Sequence, residues 1–475
     1  MNTSVRFQKL VSGVAVFGLV VLLCACAVKK PPLTTQVVHD SLPPTTTIPD
    51  QWTSTPVNPA PVETGWLKSF HDPQMEAIVA EALRNNLDLQ AAATRVQVAA
   101  NVVTEVHAQL MPQIGIAGEA KYLGRFHEKN ATGKAIGNFN ASSLLGGVSW
   151  ELDVWAKIRS QVAAAKEGQA ATGSDYQWAR MSLAAITARV WYLAGYTGVL
   201  QSYAQQNVAI DQKLLYVTIA QFQVGNAEQQ QVDFAQAQLA QSQAQLAQVS
   251  NAYLQIVRGL EVLLGRYPAG ELKTASALAA LPPPAPAGLP SQLLERRPDV
   301  LAAQHDFNAA FHLVQTAKAA RLPSFALTGA GGYLTNEIFQ DLKFRPWVWT
   351  VAGNMIAPLY TGGYLQAQVK ISNENQKAAL ALYGQALLQA FDDVEVTFTN
   401  ERYLKDQEKD ATEALKSTED ALNLAKVKYE VGQTDLSPVL QLESVVLATQ
   451  TADTYLQYEL IANRIDLYLA LGGPF

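Results

Sequence analysis

The sequence predicts a mostly helical, internally duplicated chain in which long helical hairpins alternate with short β-hairpins of membrane-strand length. Three observations carry this prediction: an ungapped self-similarity between the two halves, an uneven distribution of proline, and two switches from a helical to a two-residue hydrophobic period. Residues 88–112 align on residues 299–323 at a constant offset of 211, with Asp88, Ala91, Ala92, Ala99, Val103, Ala108 and Pro112 matching Asp299, Ala302, Ala303, Ala310, Val314, Ala319 and Pro323. The same order of elements follows each copy: two strand-like runs, a long helix, Val-Gly and another long helix. Duplication of this kind specifies architecture rather than a catalytic centre.

At the N-terminus, Arg6 and Lys9 precede an apolar run from Leu10 to Leu23, which reads as a secretory signal over residues 1–25. Leu23 and Ala25 place Cys26 in the pattern of a bacterial lipobox, so Cys26 is expected to carry a covalent lipid and become the mature N-terminus. The alternative is that Cys24 and Cys26 are incidental apolar residues. Ala27, where an aspartate would retain a lipoprotein at the inner membrane, resembles the sorting signal of outer-membrane lipoproteins. Residues 26–63 are then a lipidated, Pro- and Thr-rich leash in extended conformation.

With 49% hydrophobic residues and a net charge of −6, the chain can bury a large core and has no basic excess for nucleic acid. Eight of 22 prolines fall between Pro31 and Pro61 and seven between Pro268 and Pro298, while none lies between Pro112 and Pro268. Proline costs about 3 kcal/mol in a helix interior, so the gap leaves room for long helices. It bounds a first repeat at 64–267, a Pro-rich linker at 268–292 and a second repeat at 293–475.

Between Val232 and Leu264 the residues Leu239, Ser242, Leu246, Val249, Tyr253, Ile256, Leu260 and Leu263 step by three and four, a coiled-coil seam. The intervening positions are rich in Gln and Ala, which suits a lumen lining or a lateral helix contact and is also compatible with a plain solvated face. A second such helix is expected from Leu436 to Leu471, with Pro438 in its first turn where proline is tolerated.

After each repeated proline the period becomes two. Ile114, Ile116, Gly118, Ala120 and Tyr122 share one face, as do Leu144, Gly146, Val148, Trp150 and Leu152; Phe325, Leu327, Gly329, Gly331 and Tyr333; and Trp347, Trp349, Val351, Gly353 and Met355. These runs have the length a tilted strand needs to cross a bilayer, roughly 9 to 11 residues, with aromatics near their ends. Residues 125–141 and 335–346 are expected as exposed loops. Four strands cannot close a barrel, so several chains would have to share one. The alternative is a small soluble sheet packed on the helices.

Several landmarks recur in order: Leu87-Asp88-Leu89, Trp150-Glu151-Leu152-Asp153-Val154-Trp155, Arg297-Pro298-Asp299-Val300, Pro358-Leu359-Tyr360-Thr361-Gly362-Gly363, Tyr429-Glu430-Val431-Gly432 and Leu467-Tyr468-Leu469-Ala470-Leu471-Gly472-Gly473. On these, from about Trp66 to Phe475, the chain resembles the TolC-like outer-membrane efflux duct family, in particular its lipid-anchored, NodT-type branch that serves resistance-nodulation-division pumps. The resemblance implies a homotrimer whose twelve-stranded barrel in outer-membrane lipid continues as an α-helical tube across the periplasm. It also implies two partners, a periplasmic adaptor and an inner-membrane pump.

By the same resemblance the adaptor docks on the turns at Val224-Gly225 and Val431-Gly432, where glycine also serves as an ordinary helix C-cap. Family ducts often narrow beyond these tips at a ring of carboxylates. Here Gln441 stands at the second-repeat position and Asp233 near its first-repeat counterpart, which puts the second-repeat acidic ring in doubt.

The six histidines are scattered, and neither a P-loop nor a Gly-x-Ser-x-Gly occurs. We therefore expect no catalysis, no metal and no cofactor beyond the lipid on Cys26. The expected function is a passive exit duct for small molecules in a tripartite efflux pump; the competing reading is a lipid-anchored periplasmic coiled-coil scaffold.

Overall fold

A computed structural model describes residues 27–54, 65–123, 139–274, 278–286, 288–335 and 347–473. Leu23, Cys24, Ala25 and Cys26, and most of the two expected loops, lie outside the described residues. In chain order the structure contains α1 (Thr34–Ser41), α2 (Pro73–Asn85), α3 (Leu87–Ala108), β1 (Gln113–Leu123), β2 (Phe139–Leu152), α4 (Lys157–Gln223) and α5 (Gln229–Leu263). There follow α6 (Pro298–Ala319), β3 (Ser324–Thr335), β4 (Trp347–Ile356), α7 (Tyr364–Glu430) and α8 (Leu436–Ala470). The duplication holds to the residue in the helices: α3 and α6 have 22 residues each, α4 and α7 have 67, and α5 and α8 have 35. All eight seam residues of α5 are buried or half-buried, and most of the glutamines between them are exposed. Pro438 sits in the first turn of α8.

The chain forms two compact units that cut across the repeats, the first taking residues to Pro43 with Arg95–Gly173 and Ala302–Gly384, the second Pro44–Thr94, Ser174–Leu301 and Gln385–Phe475. In the first unit the four strands make one antiparallel sheet in the order β1-β2-β3-β4. Two indoles tie its base to the corners where helices turn into strands. Trp150 Nε1 donates to the Leu110 carbonyl at 2.8 Å, and Trp155 Nε1 to the Pro323 carbonyl at 2.7 Å. Between them the buried Asp153 carboxylate accepts the N–H groups of Ile158 and Arg159 at 2.9 Å each, satisfying donors that the first turn of α4 leaves free.

The N-terminal segment departs from the expected extended leash. Residues 34–41 are helical, Val37 and Val38 are buried, and the Ser41 carbonyl lies where a Cβ on Gly384 would be. Proline and threonine density marked a segment without a core of its own, but two adjacent valines suffice to dock it on the helices of the first unit.

In the second unit, Trp66 stacks on Tyr468 at 5.4 Å between centroids, beside Phe70 and Tyr192. Asp72 caps α2 through the N–H groups of Gln74 and Met75 and accepts the Trp191 indole N–H at 2.9 Å. The two repeats close in the same way. Asn86 Nδ2 donates to the Leu263 carbonyl at 3.2 Å, and at the corresponding position Arg297 Nη1 reaches the Ala470 carbonyl at 3.4 Å, so each 22-residue helix is tied at its start to the end of its own 35-residue helix. The linker is held at two points. Buried Glu261 accepts the N–H groups of Gly270, Glu271 and Leu272, and buried Arg464 donates to the Pro282 and Pro283 carbonyls.

Gly225, Gly265, Gly432 and Gly472 all have positive φ and end their helices with the same pair of hydrogen bonds, a Schellman motif. They differ in surroundings. A Cβ on Gly265 would lie 2.9 Å from the Asn85 carbonyl oxygen, whereas one on Gly225 would meet nothing within 4 Å. Gly225→Ala is therefore expected to cost about 1 kcal/mol, the left-handed penalty alone. Gly265→Ala should cost roughly 2 to 4 kcal/mol because backbone must also move. Thermal unfolding of the two purified variants checks the order.

Candidate functional site: an apolar sheet face and two helix tips

Side chains alternate between the faces of a strand, and the register sorts this sheet into two chemically distinct surfaces. One face carries Gly118, Leu144 and Trp347, then the rows Ile116–Gly146–Gly331–Trp349 and Ile114–Val148–Gly329–Val351, followed by Trp150–Leu327–Gly353 and Leu152–Phe325–Met355. The other carries Gln113–Ser149–Thr328–Ala352, Gly115–Gly147–Ala330–Thr350 and Ala117–Leu145–Gly332–Val348. The apolar face is open: Ile116 is 80% exposed and Trp349 75%. Its glycines make room for large neighbours, since a Cβ on Gly331 would lie 3.3 Å from the Trp347 ring and one on Gly329 3.1 Å from Val148 Cγ1. A contiguous apolar surface of this size marks an interface with lipid or protein. Among the described residues β1 and β4 each have a strand neighbour on one side only. Among the described residues no helix is long and apolar enough to cross a membrane.

The second unit presents two helix tips of near-identical construction. α4 ends in Val224-Gly225 and α7 in Val431-Gly432, with the Asn226 N–H bonded to the Gln221 carbonyl at 2.8 Å and the Gln433 N–H to the Lys428 carbonyl at 2.8 Å. On the return, Gln231 Oε1 accepts the Glu228 N–H at 2.9 Å, closing a capping box on α5. Val224 is 71% and Val431 63% exposed, each an apolar residue presented to solvent on a hydrogen-bonded turn.

Asp233 is exposed in the second turn of α5 and accepts from Gln229 Nε2 at 2.8 Å; Gln441 is exposed in the second turn of α8. A buried acid that the sequence reading passed over lies further along α4. Asp211 is 2% exposed, and burial pushes its carboxyl above the usual range. A hydrogen bond with Ser242 of α5 opposes that rise, and the corresponding second-repeat pair is Thr418 with Thr449, two hydroxyls 3.1 Å apart.

In the first unit His305 Nδ1 lies 2.7 Å from Glu167, and His312 is buried, which lowers its pKa.

The sequence profile of outer membrane efflux proteins matches residues 78–266 and 289–473, covering both repeats. The chain belongs to the outer membrane efflux protein family. Among curated relatives, the toluene efflux pump outer membrane protein TtgC of Pseudomonas putida is 25% identical over 415 residues, 87% of this chain and 86% of the relative. The cation efflux system protein CusC of Escherichia coli is 27% identical over 421 residues, 86% of this chain and 88% of the relative. The crystal structure of the Campylobacter jejuni CmeC outer membrane channel shares the fold with a TM-score of 0.84 at 22% identity, covering 94% of this chain and 95% of that one. This efflux protein is accordingly an outer-membrane component of an efflux system. The scaffold reading is not favoured.

Proposed function

We propose that three copies of this efflux protein close one twelve-stranded barrel in the outer membrane and form the passive exit duct of a tripartite pump. The observation that carries this reading is a sheet with one open apolar face and a free edge on either side. In hydrocarbon each unpaired backbone group costs several kcal/mol, so β1 of one copy must pair with β4 of the next. Three such sheets supply twelve strands, and their other faces, mostly small residues with Ser149, Thr328 and Thr350 among them, then line the interior. Cys26, acylated after the signal is removed, would anchor each copy in the same membrane. Transport through such a lumen calls for no catalysis and no cofactor in this chain. Relatives named for toluene and for cations have matching lengths, which supports assigning substrate selection to the inner-membrane pump.

The tips at Val224-Gly225 and Val431-Gly432 are assigned to the periplasmic adaptor, and the second-turn residues Asp233 and Gln441 to the periplasmic constriction. Three copies would then place a ring of Asp233 carboxylates beside a neutral ring of Gln441. Val224→Asp combined with Val431→Asp should leave the trimer intact, because both side chains are exposed and both turns are held by backbone bonds. It should reduce efflux by about tenfold or more, as loss of central apolar anchors does at interfaces, measured as substrate accumulation in cells and as adaptor crosslinking. The reading as a whole is tested by electron microscopy of the detergent-extracted mature protein. A hollow threefold particle supports the duct; compact or filamentous particles without a lumen would overturn it.

A further inference from the structure

On α7 of the second unit, Phe391, Glu395 and Phe398 fall on one helical face at spacings of four and three. That face is covered by residues 52–54. Trp52 is buried with its ring 6.4 Å from Phe391 and 6.3 Å from Phe398, tilted against both. Glu395 then takes up four donors from the next two residues. Its Oε1 accepts the Thr53 N–H at 2.8 Å and the Thr53 hydroxyl at 2.9 Å, and its Oε2 accepts the Ser54 N–H at 2.9 Å and the Ser54 hydroxyl. One carboxylate thereby meets both backbone and side-chain donors of a dipeptide, between two aromatic walls that hold the preceding indole.

The internal duplication shows that this is not a generic feature of the long helices. α4 and α7 are equivalent over 67 residues, 207 positions apart. The counterparts of Phe391, Glu395 and Phe398 are Ala184, Ala188 and Trp191, all fully buried in the core of the second unit. Only the second repeat carries an acid flanked by two phenylalanines, and only there does a segment from outside the repeats lie over the face.

We propose that the Phe391–Glu395–Phe398 face is a peptide-docking site whose occupant is this chain's own Trp52-Thr53-Ser54. Its ligand chemistry is an aromatic residue followed by two residues whose N–H and hydroxyl groups converge on one carboxylate. The latch is an exchangeable element that ties the N-terminal segment to the helices of the second unit. It does not depend on lipidation of Cys26 or on the duct reading, since every contact is within the second unit of one chain.

Two measurements on the full mature protein in detergent test it. In hydrogen exchange, Glu395→Ala should speed exchange of the Thr53 and Ser54 amides about 10- to 100-fold, the range expected when charge-assisted hydrogen bonds are lost. Amides of α5 and α8 should be unchanged. In the second measurement the site is emptied by the combined Trp52→Ala, Thr53→Ala and Ser54→Ala variant, and a labelled synthetic peptide of residues 47–54 is added. The peptide should bind the emptied protein saturably and wild type at least about tenfold more weakly, because the tethered segment competes at a high effective concentration. Binding should be lost when Phe391→Ala or Glu395→Ala is added to the emptied chain. Equal amide exchange in wild type and Glu395→Ala would overturn the proposal. So would no peptide binding to an emptied variant that keeps the wild-type helix content and thermal unfolding, or equal binding to every variant.

Discussion

Replacing Arg464 by methionine is expected to destabilise the folded chain by about 3–5 kcal/mol, the range seen when one partner of a buried ion pair is removed. Arg464 is 1% exposed on α8. Its guanidinium makes a two-pronged contact with Glu401 of α7, Nη2 to Oε1 at 2.7 Å and Nε to Oε2 at 3.2 Å, while Nη1 donates to the linker carbonyls of Pro282 and Pro283. Methionine keeps the length and apolar bulk of the stem, so the loss isolates the charge. It leaves Glu401 with Lys405, 2.6 Å away, as its one cationic partner among the described residues, and leaves two proline carbonyls without their donor. Burial pushes the Glu401 carboxyl up, but the Lys405 hydrogen bond and the Arg464 charge override it and hold it below its ordinary value of 4.5. A carboxyl lowered on folding contributes stability above its unfolded pKa, and that contribution is lost as pH falls through the folded value. The Arg464→Met penalty should therefore be full at pH 7 and shrink as pH is lowered beneath about 4.5. Thermal unfolding of variant and wild type across pH measures both. A penalty that stays the same from pH 7 to pH 3 would show that packing, not charge, is what the arginine supplies. Adding Glu401→Gln should restore part of the loss at pH 7, since the acid left behind is then neutral.

Arginine at Ile116 or Val351 should abolish assembly in the outer membrane, while arginine at Thr350 should be tolerated. Ile116 and Val351 stand in the middle rows of the apolar face, where an arginine at mid-bilayer depth costs about 2–4 kcal/mol per site. Threefold repetition in the proposed trimer multiplies that to roughly 6–12 kcal/mol, comparable to the whole stability of a domain. Thr350 neighbours Val351 on the same strand but points to the opposite face, in the row with Gly115, Gly147 and Ala330. The pair of substitutions thus differs by one residue of register and little else. Heat-resistant trimer in isolated outer membranes is the readout. If Thr350→Arg is lost and Val351→Arg retained, the two faces have been assigned the wrong way round.

Several elements were legible in the sequence because they rest on periodicity, which needs no partner to be seen. The strand runs, the seam of α5 and the position of Pro438 follow from spacing alone, and the duplication is visible as matched residues at a fixed offset. Glycine at Gly225 and Gly432 could be placed at helix ends because only a residue without a Cβ turns left-handed at little cost. The motif Arg297-Pro298-Asp299 could be singled out but not explained. Its role needs Asp393 on α7 and the Ala470 carbonyl at the end of α8, which are remote in sequence.

What the sequence by itself determined, then, is the duplication, the final long helix of each repeat and the chemical asymmetry of each strand. The tertiary structure alone decided which elements are tied together: Glu401 to Arg464, Glu261 to the linker, and Glu395 to Thr53 and Ser54 over 341 or more positions. It also turned a supposed free leash into a docked segment. The physical reason is that amphipathic periodicity is a local property of the chain, whereas a buried charge is stable only beside a specific partner, and that partner can come from anywhere in the sequence.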